Sequence, residues 1–325
     1  MNSFFVSTVI FYTLFHLLFK ASTRLFVLRG WTRANWQGQQ VPACMGSVWL
    51  SIWLLEATTI GVLLNDFTLF LAVMGFGVLG LMDDLWGNRE TGGLVGHLSE
   101  LVRNRHVTTG AVKAGGGIVV AFLVAYLLMS YPGLWPADRG TRAVLLLTWT
   151  LLVALSANSI NLLDVRPSRA IKGASILMLT AYVLSLLFPS VVLVSCGKGF
   201  LNPTGNPGPL LEVLLLPTIA YSLFDFRSKA MMGDVGSNAL GALVGWYAMV
   251  ALSLPGQGIT VVLLLAFHIW TEKYSLTEFI KRHPVLDWLD RLGTGRPPEI
   301  PSTPEDACIE NFTFGSHGSP SEQRD

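Results

Sequence analysis

Long apolar runs separated by short polar segments recur along most of the chain. A run of about 17 to 25 apolar residues is long enough to cross the hydrocarbon core of a bilayer as a helix. Asn, Asp, Pro and Gly stand at several of the breaks between runs. The pattern predicts an all-α polytopic membrane helix bundle of about nine transmembrane helices, at residues 3–23, 43–63, 66–82, 115–131, 142–162, 173–194, 210–224, 238–254 and 257–272.

The pattern changes after the ninth run. Residues 273–293 place apolar side chains on one helical face and charged ones on the other, and Pro284 suits the first position of a second short helix. Residues 294–325 are rich in Pro, Ser, Gly and acid. The sequence therefore predicts a transmembrane domain at 1–272, an amphipathic cytoplasmic surface segment at 273–293 and a disordered tail at 294–325.

Composition supports a membrane protein. Hydrophobic residues make up 51% of the chain and charged residues 13%, against about 25% charged in an average soluble domain. The 22 basic and 21 acidic residues nearly cancel, so nothing in the overall charge indicates a nucleic-acid partner. The three scattered cysteines indicate neither a disulfide framework nor a cysteine metal site.

Lysine and arginine are distributed unequally between alternate loops. One set of loops contains only Arg139, Arg142 and Lys198, and the other set contains Arg24, Arg29, Arg33, Arg89, Arg103, Arg105, Lys113, Arg166, Arg169, Lys172, Arg227 and Lys229. Because basic loops stay in the cytoplasm, the N-terminus is expected outside and the C-terminus in the cytoplasm. The first run has no small-residue cleavage site, so we expect it to be retained as a helix.

Two acidic motifs indicate metal and phosphate chemistry. Asp83 and Asp84 end the third apolar run, where two adjacent ionised carboxylates need a compensating cation such as a divalent metal. Residues 232–238 (Met-Gly-Asp-Val-Gly-Ser-Asn) precede the eighth run. Its glycines allow close approach to an anion, the amides of the following helix favour phosphate, and Asp234 offers oxygen to Mg²⁺. A solvated loop and an ordinary helix cap are the alternatives.

Further polar residues stand at helix ends that the topology places in the cytoplasm. Three of them, at spacings of three, close the fifth run, and two arginines that suit a diphosphate follow them. Capping, lipid-headgroup contact and snorkelling of the lysine are the alternatives. The candidate substrate-binding residues are Lys113, Asn158, Asn161, Asp164, Arg166, Arg169, Gly233, Ser237 and Asn238.

These motifs together resemble the polyprenyl-phosphate N-acetylhexosamine-1-phosphate transferase superfamily. Its members include phospho-N-acetylmuramoyl-pentapeptide transferase and the enzymes that load N-acetylglucosamine-1-phosphate onto undecaprenyl phosphate. The matching stretches run in family order and are residues 38–42 (Gly-Gln-Gln-Val-Pro), 83–87 (Asp-Asp-Leu-Trp-Gly), 158–164 and 232–237. The resemblance implies Mg²⁺-dependent transfer of a sugar 1-phosphate from a nucleotide sugar to a polyprenyl phosphate. The expected setting is the cytoplasmic face of a bacterial inner membrane, for envelope polymers such as peptidoglycan or teichoic acid.

The resemblance also implies roles for individual residues. Asp83, Asp84 and Asp234 would be catalytic, with Mg²⁺ held by Asp234 and Asp83, and Asn161 and Asp164 would line the nucleotide-sugar side. The family usually continues this last motif with a glycine and a second acid, whereas residues 165–169 here are Val-Arg-Pro-Ser-Arg. A histidine-rich loop and a tenth span are also missing. The resemblance therefore implies the reaction class more strongly than it implies the sugar or the nucleobase.

Two other functions stay open at this point. A catalytically silent relative that binds a lipid carrier would keep the fold while losing substrate contacts. An ion-coupled transporter would place acids near the bilayer midplane, where the sequence offers only Glu56. Oligomeric state is also open, with a homodimer among the alternatives.

Overall fold

The computed structural model describes residues 2–35, 37–59, 67–87, 108–131, 134, 136, 138–188 and 208–294. Of these residues 80% are helical, in eleven helices. The helices are α1 (Asn2–Leu28), α2 (Gly46–Thr59), α3 (Phe67–Trp86), α4 (Thr109–Met129), α5 (Arg139–Leu163), α6 (Arg169–Leu187), α7 (Gly208–Asp225), α8 (Gly233–Ala251), α9 (Leu254–Thr271), α10 (Leu276–Arg282) and α11 (Pro284–Arg291).

Five of these helices, α3, α4, α5, α6 and α9, are long and apolar enough to cross a membrane. Their composition and the dominance of helix agree with the predicted membrane helix bundle. The number of spans and their orientation stay predictions.

Contacts divide the chain into two units between Lys273 and Tyr274. In the second unit, α10 is capped by Ser275, whose Oγ accepts a hydrogen bond from the Glu278 backbone N–H at 3.4 Å. The second short helix begins at Pro284, as the sequence predicts. Apart from Thr294, the tail predicted to be disordered (294–325) lies outside the residues that the structure describes.

A short antiparallel hairpin joins α1 to α2. Strands β1 (Thr32–Ala34) and β2 (Gln40–Pro42) pair with Thr32 opposite Pro42. Asn35 closes the turn because its Oδ1 accepts hydrogen bonds from the Gln37 and Gln39 backbone N–H groups, at 2.9 and 3.0 Å. Strands of three residues are too short for the apolar pattern to predict.

The hairpin is tied to the segment that precedes α8. Met231 donates its backbone N–H to the Pro42 carbonyl at 2.9 Å, and the Met232 carbonyl accepts from the Gly46 N–H at 2.8 Å. Gly46, the first residue of α2, and Gly236, in the first turn of α8, lie so close that neither has room for a Cβ. The N-terminal ends of α2 and α8 are therefore held together through their backbones.

Helix α8 lies at the centre of the first unit. Every residue from Val235 to Ala251 is buried, and α8 packs mainly against α3 and α5. The contact with α5 needs glycine, since a Cβ at Gly241 would lie 2.6 Å from the Ala157 Cα. Small residues that let backbones approach in this way are typical of helix packing in membranes.

Helix α8 begins earlier than the predicted start at residue 238. Gly233, with φ of +71°, turns the chain into the helix. The Ser237 Oγ donates to the Gly233 carbonyl at 3.0 Å, and the Asn238 Nδ2 donates to the Asp234 carbonyl at 2.7 Å. Residues 233–238, predicted to form a turn that opens the helix at Ser237, are therefore its first two turns.

Helix α3 reaches α8 through a second glycine. A Cβ at Gly80 would overlap the Asp234 carbonyl oxygen, so the last turn of α3 lies directly on the first turn of α8. Helix α4 packs against α3 at Gly116, where a Cβ would lie 2.8 Å from the side-chain atom Cδ2 of Leu79. These two contacts bring the ends of three helices together.

The glycine contact between α3 and α8 predicts an effect on stability. Gly80→Ala should lower the free energy of unfolding by about 1–3 kcal/mol, the usual cost of overpacking, because the new methyl group meets backbone. Gly115→Ala is the matched control on a neighbouring helix, where a Cβ meets nothing within 4 Å. Thermal unfolding in detergent compares them, and equal melting temperatures would contradict the predicted contact.

Candidate active site

The three predicted catalytic acids lie close together, and we call Asp83, Asp84 and Asp234 the acid centre. The Val235 backbone N–H donates to Asp84 Oδ2 at 2.9 Å, joining α3 to α8. The carboxyl groups of Asp83 and Asp234 lie within hydrogen-bonding reach of each other. The packing of Gly80 against α8 makes this meeting sterically allowed.

Lys113 supplies a positive charge to the acid centre from the second turn of α4. Its Nζ lies 3.5 Å from Asp83 Oδ2 and forms an ion pair with Asp234 Oδ2. The side chains of Lys113, Asp83 and Asp234 are 17%, 22% and 29% exposed. This part of the acid centre is therefore open to a ligand.

Asn161 joins the same cluster from the last turn of α5. With its amide oxygen toward α4, it accepts from Lys113 Nζ at 3.1 Å, while its nitrogen donates to Asp234 Oδ1 at 3.2 Å and to Ser237 Oγ at 2.8 Å. Asn158 is exposed one turn earlier. No hydrogen bond in the described part of the chain links Asn158 to the acid centre. Of these two asparagines, Asn161 is the one that the structure places beside the acids.

Asp84 has different surroundings from its neighbour. Its side chain is 1% exposed, its Oδ1 lies 3.6 Å from Arg33 Nη1, and the Arg33 Nη2 donates to the Asp84 carbonyl at 3.0 Å. The backbone N–H groups of Asp234 and Val235 and the Cys44 thiol also hydrogen-bond its carboxyl. Asp84 therefore acts as a buried cap on the N-terminus of α8.

Asp164 is a second carboxyl at this helix end. It follows the last residue of α5, and the Gly233 backbone N–H hydrogen-bonds its carboxyl. Burial, followed by the negative charges of Asp225, Asp234 and Asp84, raises the pKa of Asp164 well above its ordinary value of 3.8. The N–H groups of Gly233 and Val235, in the first turn of α8, are thus already paired with carboxyl groups.

A cavity of about 350 Å³ opens beside Asp164. Small-molecule sites are typically about 300–1,000 Å³, so a small ligand or part of a larger one fits. The walls combine acidic, basic and apolar groups, namely Ala34, Asn35, Asp164, Val165, Arg166, Pro167, Asp225, Ser228, Ala230 and Met231.

The two arginines predicted to act as a pair have different positions. Arg166 lines the cavity. Arg169 begins α6, is 5% exposed and does not line the cavity. If guanidinium binds a ligand phosphate here, Arg166 is placed to do so.

Strained backbone surrounds the site. The non-glycine residues with left-handed φ in the described part of the chain are Cys44 (+59°), Ser168 (+73°) and Ser228 (+53°). Cys44 contacts Asp84, Ser228 lines the cavity, and the Ser168 N–H donates to Asp225 Oδ2 at 2.7 Å. Such residues cost about 1–3 kcal/mol each and concentrate at functional sites.

Ser237 and Asn238 lie behind the open part of the acid centre. They are 0% and 3% exposed, and their side chains bond Asn161, the Gly233 carbonyl and the Asp234 carbonyl. A direct contact with substrate would require these bonds to be exchanged. Their substrate-binding role stays a prediction. In the structure their side chains hold Asn161 and the backbone of Gly233 and Asp234 in place.

Sequence reasoning missed two charged residues at the site. Arg33 was counted only as a loop charge, although it pairs with Asp84. Asp225 comes directly after the predicted span 210–224 and was not singled out, although it lines the cavity and is 4% exposed. The available signal for Asp225 was an acid at a helix end that the loop charges predict to be cytoplasmic.

The acid centre offers two carboxylates as candidate ligands for a divalent cation. No group of three or more His, Cys, Asp or Glu residues in the described ranges is arranged to hold a metal. The available donors are the carboxylates of Asp83 and Asp234, which already hold the Lys113 ammonium. Mg²⁺ is commonly bound by one or two carboxylates, with substrate phosphates and water completing its shell. These donors fit that pattern.

Comparisons with known proteins add no assignment. No protein-family model matches the chain, and no curated protein matches it.

The different surroundings of the two adjacent acids predict different effects on stability. Asp84→Asn should lower the free energy of unfolding by about 1.5–3 kcal/mol, the range for a hydrogen bond to a charged group, because Arg33 loses its buried partner. Asp83→Asn should change it by less than about 1 kcal/mol, as for other partly exposed ion pairs. Denaturation of both variants measures this, and the hypothesis is wrong if Asp83→Asn is the more damaging change.

The raised pKa of Asp164 predicts a pH-dependent stability. Between the unfolded and the folded pKa, the folded protein binds more protons than the unfolded protein, so this group lowers stability as pH rises. Asp164→Asn removes the ionisation and keeps an oxygen for the Gly233 N–H. The variant should unfold at a higher temperature than the wild type at pH 7, with the difference shrinking toward pH 4. A constant difference across this range would contradict the prediction.

Proposed function

We propose that the protein is a Mg²⁺-dependent phosphoglycosyl transferase of the bacterial inner membrane. It moves a sugar 1-phosphate, of the N-acetylhexosamine type, from a nucleotide sugar to undecaprenyl or another polyprenyl phosphate. The observation that carries the proposal is the meeting of Asp83, Asp234 and Lys113. A cavity of about 350 Å³ is lined by Asp164, whose carboxyl is hydrogen-bonded by the N–H of Gly233, the residue before Asp234. Two phosphates repel each other, and carboxylates that hold a metal together with an ammonium offset that repulsion.

The proposed topology has nine spans, with the N-terminus outside and the site at the cytoplasmic face. Its support is that successive helices reach the site by alternate ends, as expected of a chain that crosses a bilayer back and forth. The contributing residues are Asp84 at the end of α3, Lys113 near the start of α4, Asp164 after α5, Ser168 before α6, Asp225 at the end of α7 and Asp234 at the start of α8.

The residues divide the reaction between them. Asp234 and Asp83 would hold Mg²⁺, which supplies charge neutralisation at the transferred phosphoryl group. Lys113 donates to a phosphate oxygen, and Asn161 orients both Lys113 and Asp234. An oxygen of the lipid phosphate attacks the phosphorus of the sugar phosphate. A P–O–P bond forms as the bond to the nucleoside monophosphate breaks.

The cavity is the proposed donor site. Arg166 is placed to bind the donor diphosphate, and Asp164 connects the cavity to the first turn of α8. Val165 and Pro167 give the wall an apolar part for a ring. This wall differs from the acidic segment usual in the family that the motifs resemble.

A transfer assay tests the proposed function. Purified protein is incubated with Mg²⁺, undecaprenyl phosphate and a panel of labelled nucleotide sugars, and lipid-linked sugar diphosphate is measured. At least one sugar should give product. Asp234→Asn should lower the rate on the order of 100-fold or more, as expected for loss of a group that stabilises the transition state.

The matched control is Asp138→Asn at the start of α5. The exposed Asp138 carboxylate only caps that helix, accepting from the Thr141 N–H at 2.7 Å, so its rate should equal that of the wild type. If the protein binds polyprenyl phosphate and no sugar in the panel gives product, the silent-relative interpretation replaces this one. Ion flux in vesicles that is abolished by Glu56→Gln would instead support the transporter.

A further inference from the structure

The Lys113 ammonium lies where a cation bound by the acid centre would lie. It contacts one carboxylate oxygen of Asp83 and one of Asp234. The Asn161 amide oxygen, at 3.1 Å, adds a third oxygen from another helix. An oxygen-lined position that already holds one positive charge has the ligands a hard metal ion uses.

A metal ion and this ammonium cannot share the position. Both need the same carboxylate oxygens, and two positive charges at contact distance in a partly buried site repel each other strongly. Entry of the metal therefore requires the ammonium to leave.

The side chain can leave while the helix stays in place. The first turn of α4 is fixed by Thr108, whose Oγ1 accepts from the Ala111 N–H at 3.2 Å. Gly116 packs α4 closely on Leu79 of α3. Lysine, in contrast, carries its charge on a flexible four-carbon stem. Displacement is therefore a side-chain rotation that leaves the packing of α3 and α4 intact.

We propose that Lys113 is a displaceable counter-cation: it occupies the site between Asp83 and Asp234 in the metal-free protein, and an entering divalent cation releases its ammonium to bind a substrate phosphoryl group. The inference rests on the proposed function, because that function requires the metal. It adds that Lys113 changes partners during the reaction.

This exchange couples metal binding to phosphate binding. Without metal, the Lys113 ammonium is paired with the carboxylates of Asp83 and Asp234 and does not bind a phosphate. With metal bound, the released ammonium gains a partner only when a phosphoryl group arrives. Metal and phosphate therefore favour each other's binding through Lys113, by linkage.

Chemical labelling of the wild-type protein tests the displacement directly. An amine-reactive reagent is applied with and without Mg²⁺, and labelling at each lysine is measured by mass spectrometry. Mg²⁺ should raise labelling of Lys113 several-fold, and inorganic phosphate added with Mg²⁺ should lower it again. Lys229, which is exposed in the turn before α8, should not change. Unchanged or decreased labelling of Lys113 on adding Mg²⁺, while the metal is bound, would overturn the proposal.

Metal affinity gives a second readout that needs no activity. Free Mn²⁺ is followed by electron paramagnetic resonance during titration of the wild type, Lys113→Met and the control Lys229→Met. Lys113→Met should bind Mn²⁺ about tenfold more tightly, a difference of about 1.4 kcal/mol, because no ammonium competes. Equal or weaker binding in a folded Lys113→Met overturns the inference.

The two hypotheses fail in distinguishable ways. If neither the wild type nor Lys113→Met binds Mn²⁺, the metal site of the proposed function is wrong, and the displacement fails with it. If the wild type binds Mn²⁺ without any rise in Lys113 labelling, the displacement alone is wrong. Because the labelling experiment uses unaltered protein, it decides the question even if Lys113→Met does not fold.

Discussion

The structure depends on hydrogen-bond partners for the backbone N–H and C=O groups at the two ends of a helix that is buried along its length. Helix α8 is surrounded by protein from Val235 to Ala251, so water does not reach most of its terminal N–H and C=O groups. Asp84 and Asp164 accept from the N–H groups of its first turn. At the other end the Gln257 amide donates to the carbonyls of Met249 and Leu252, at 2.7 and 3.0 Å. Side chains of neighbouring elements thus cap both ends.

Capping by acidic side chains brings several carboxyl groups to one place, where the adjacent acids Asp83 and Asp84 have different partners. The positive end of the helix dipole and Arg33 compensate Asp84, which is buried. Asp83 and Asp234 face the open side and share Lys113. Adjacent residues in the sequence therefore have separate tasks, since Asp84 stabilises the fold and Asp83 stays available for a ligand. Of these two adjacent acids, one caps a helix and the other faces the open side of the site.

The convergence of Asp83, Asp84 and Asp234 was predictable, because a chain that crosses a membrane repeatedly brings alternate helix ends to the same face. The start of α8 was not predictable, because glycine and polar residues are typical of a turn. In the structure these residues belong to the helix. Arg33 was also missed, since its position depends on a hairpin of two three-residue strands. The cavity around Asp225 depends on how three loops pack, which no local pattern encodes.

The same first turn of α8 connects the cavity to the acid centre. Its Gly233 N–H binds Asp164, a cavity residue, and the next residue is Asp234, which pairs with Lys113. The backbone of this turn therefore holds both the Asp164 carboxyl and the Asp234 side chain. Gly80 leaves that backbone little room to move, since the last turn of α3 lies directly on it. Tight packing at this point therefore fixes where the Asp234 carboxylate lies relative to the cavity, because a close-packed contact leaves little free volume for rearrangement.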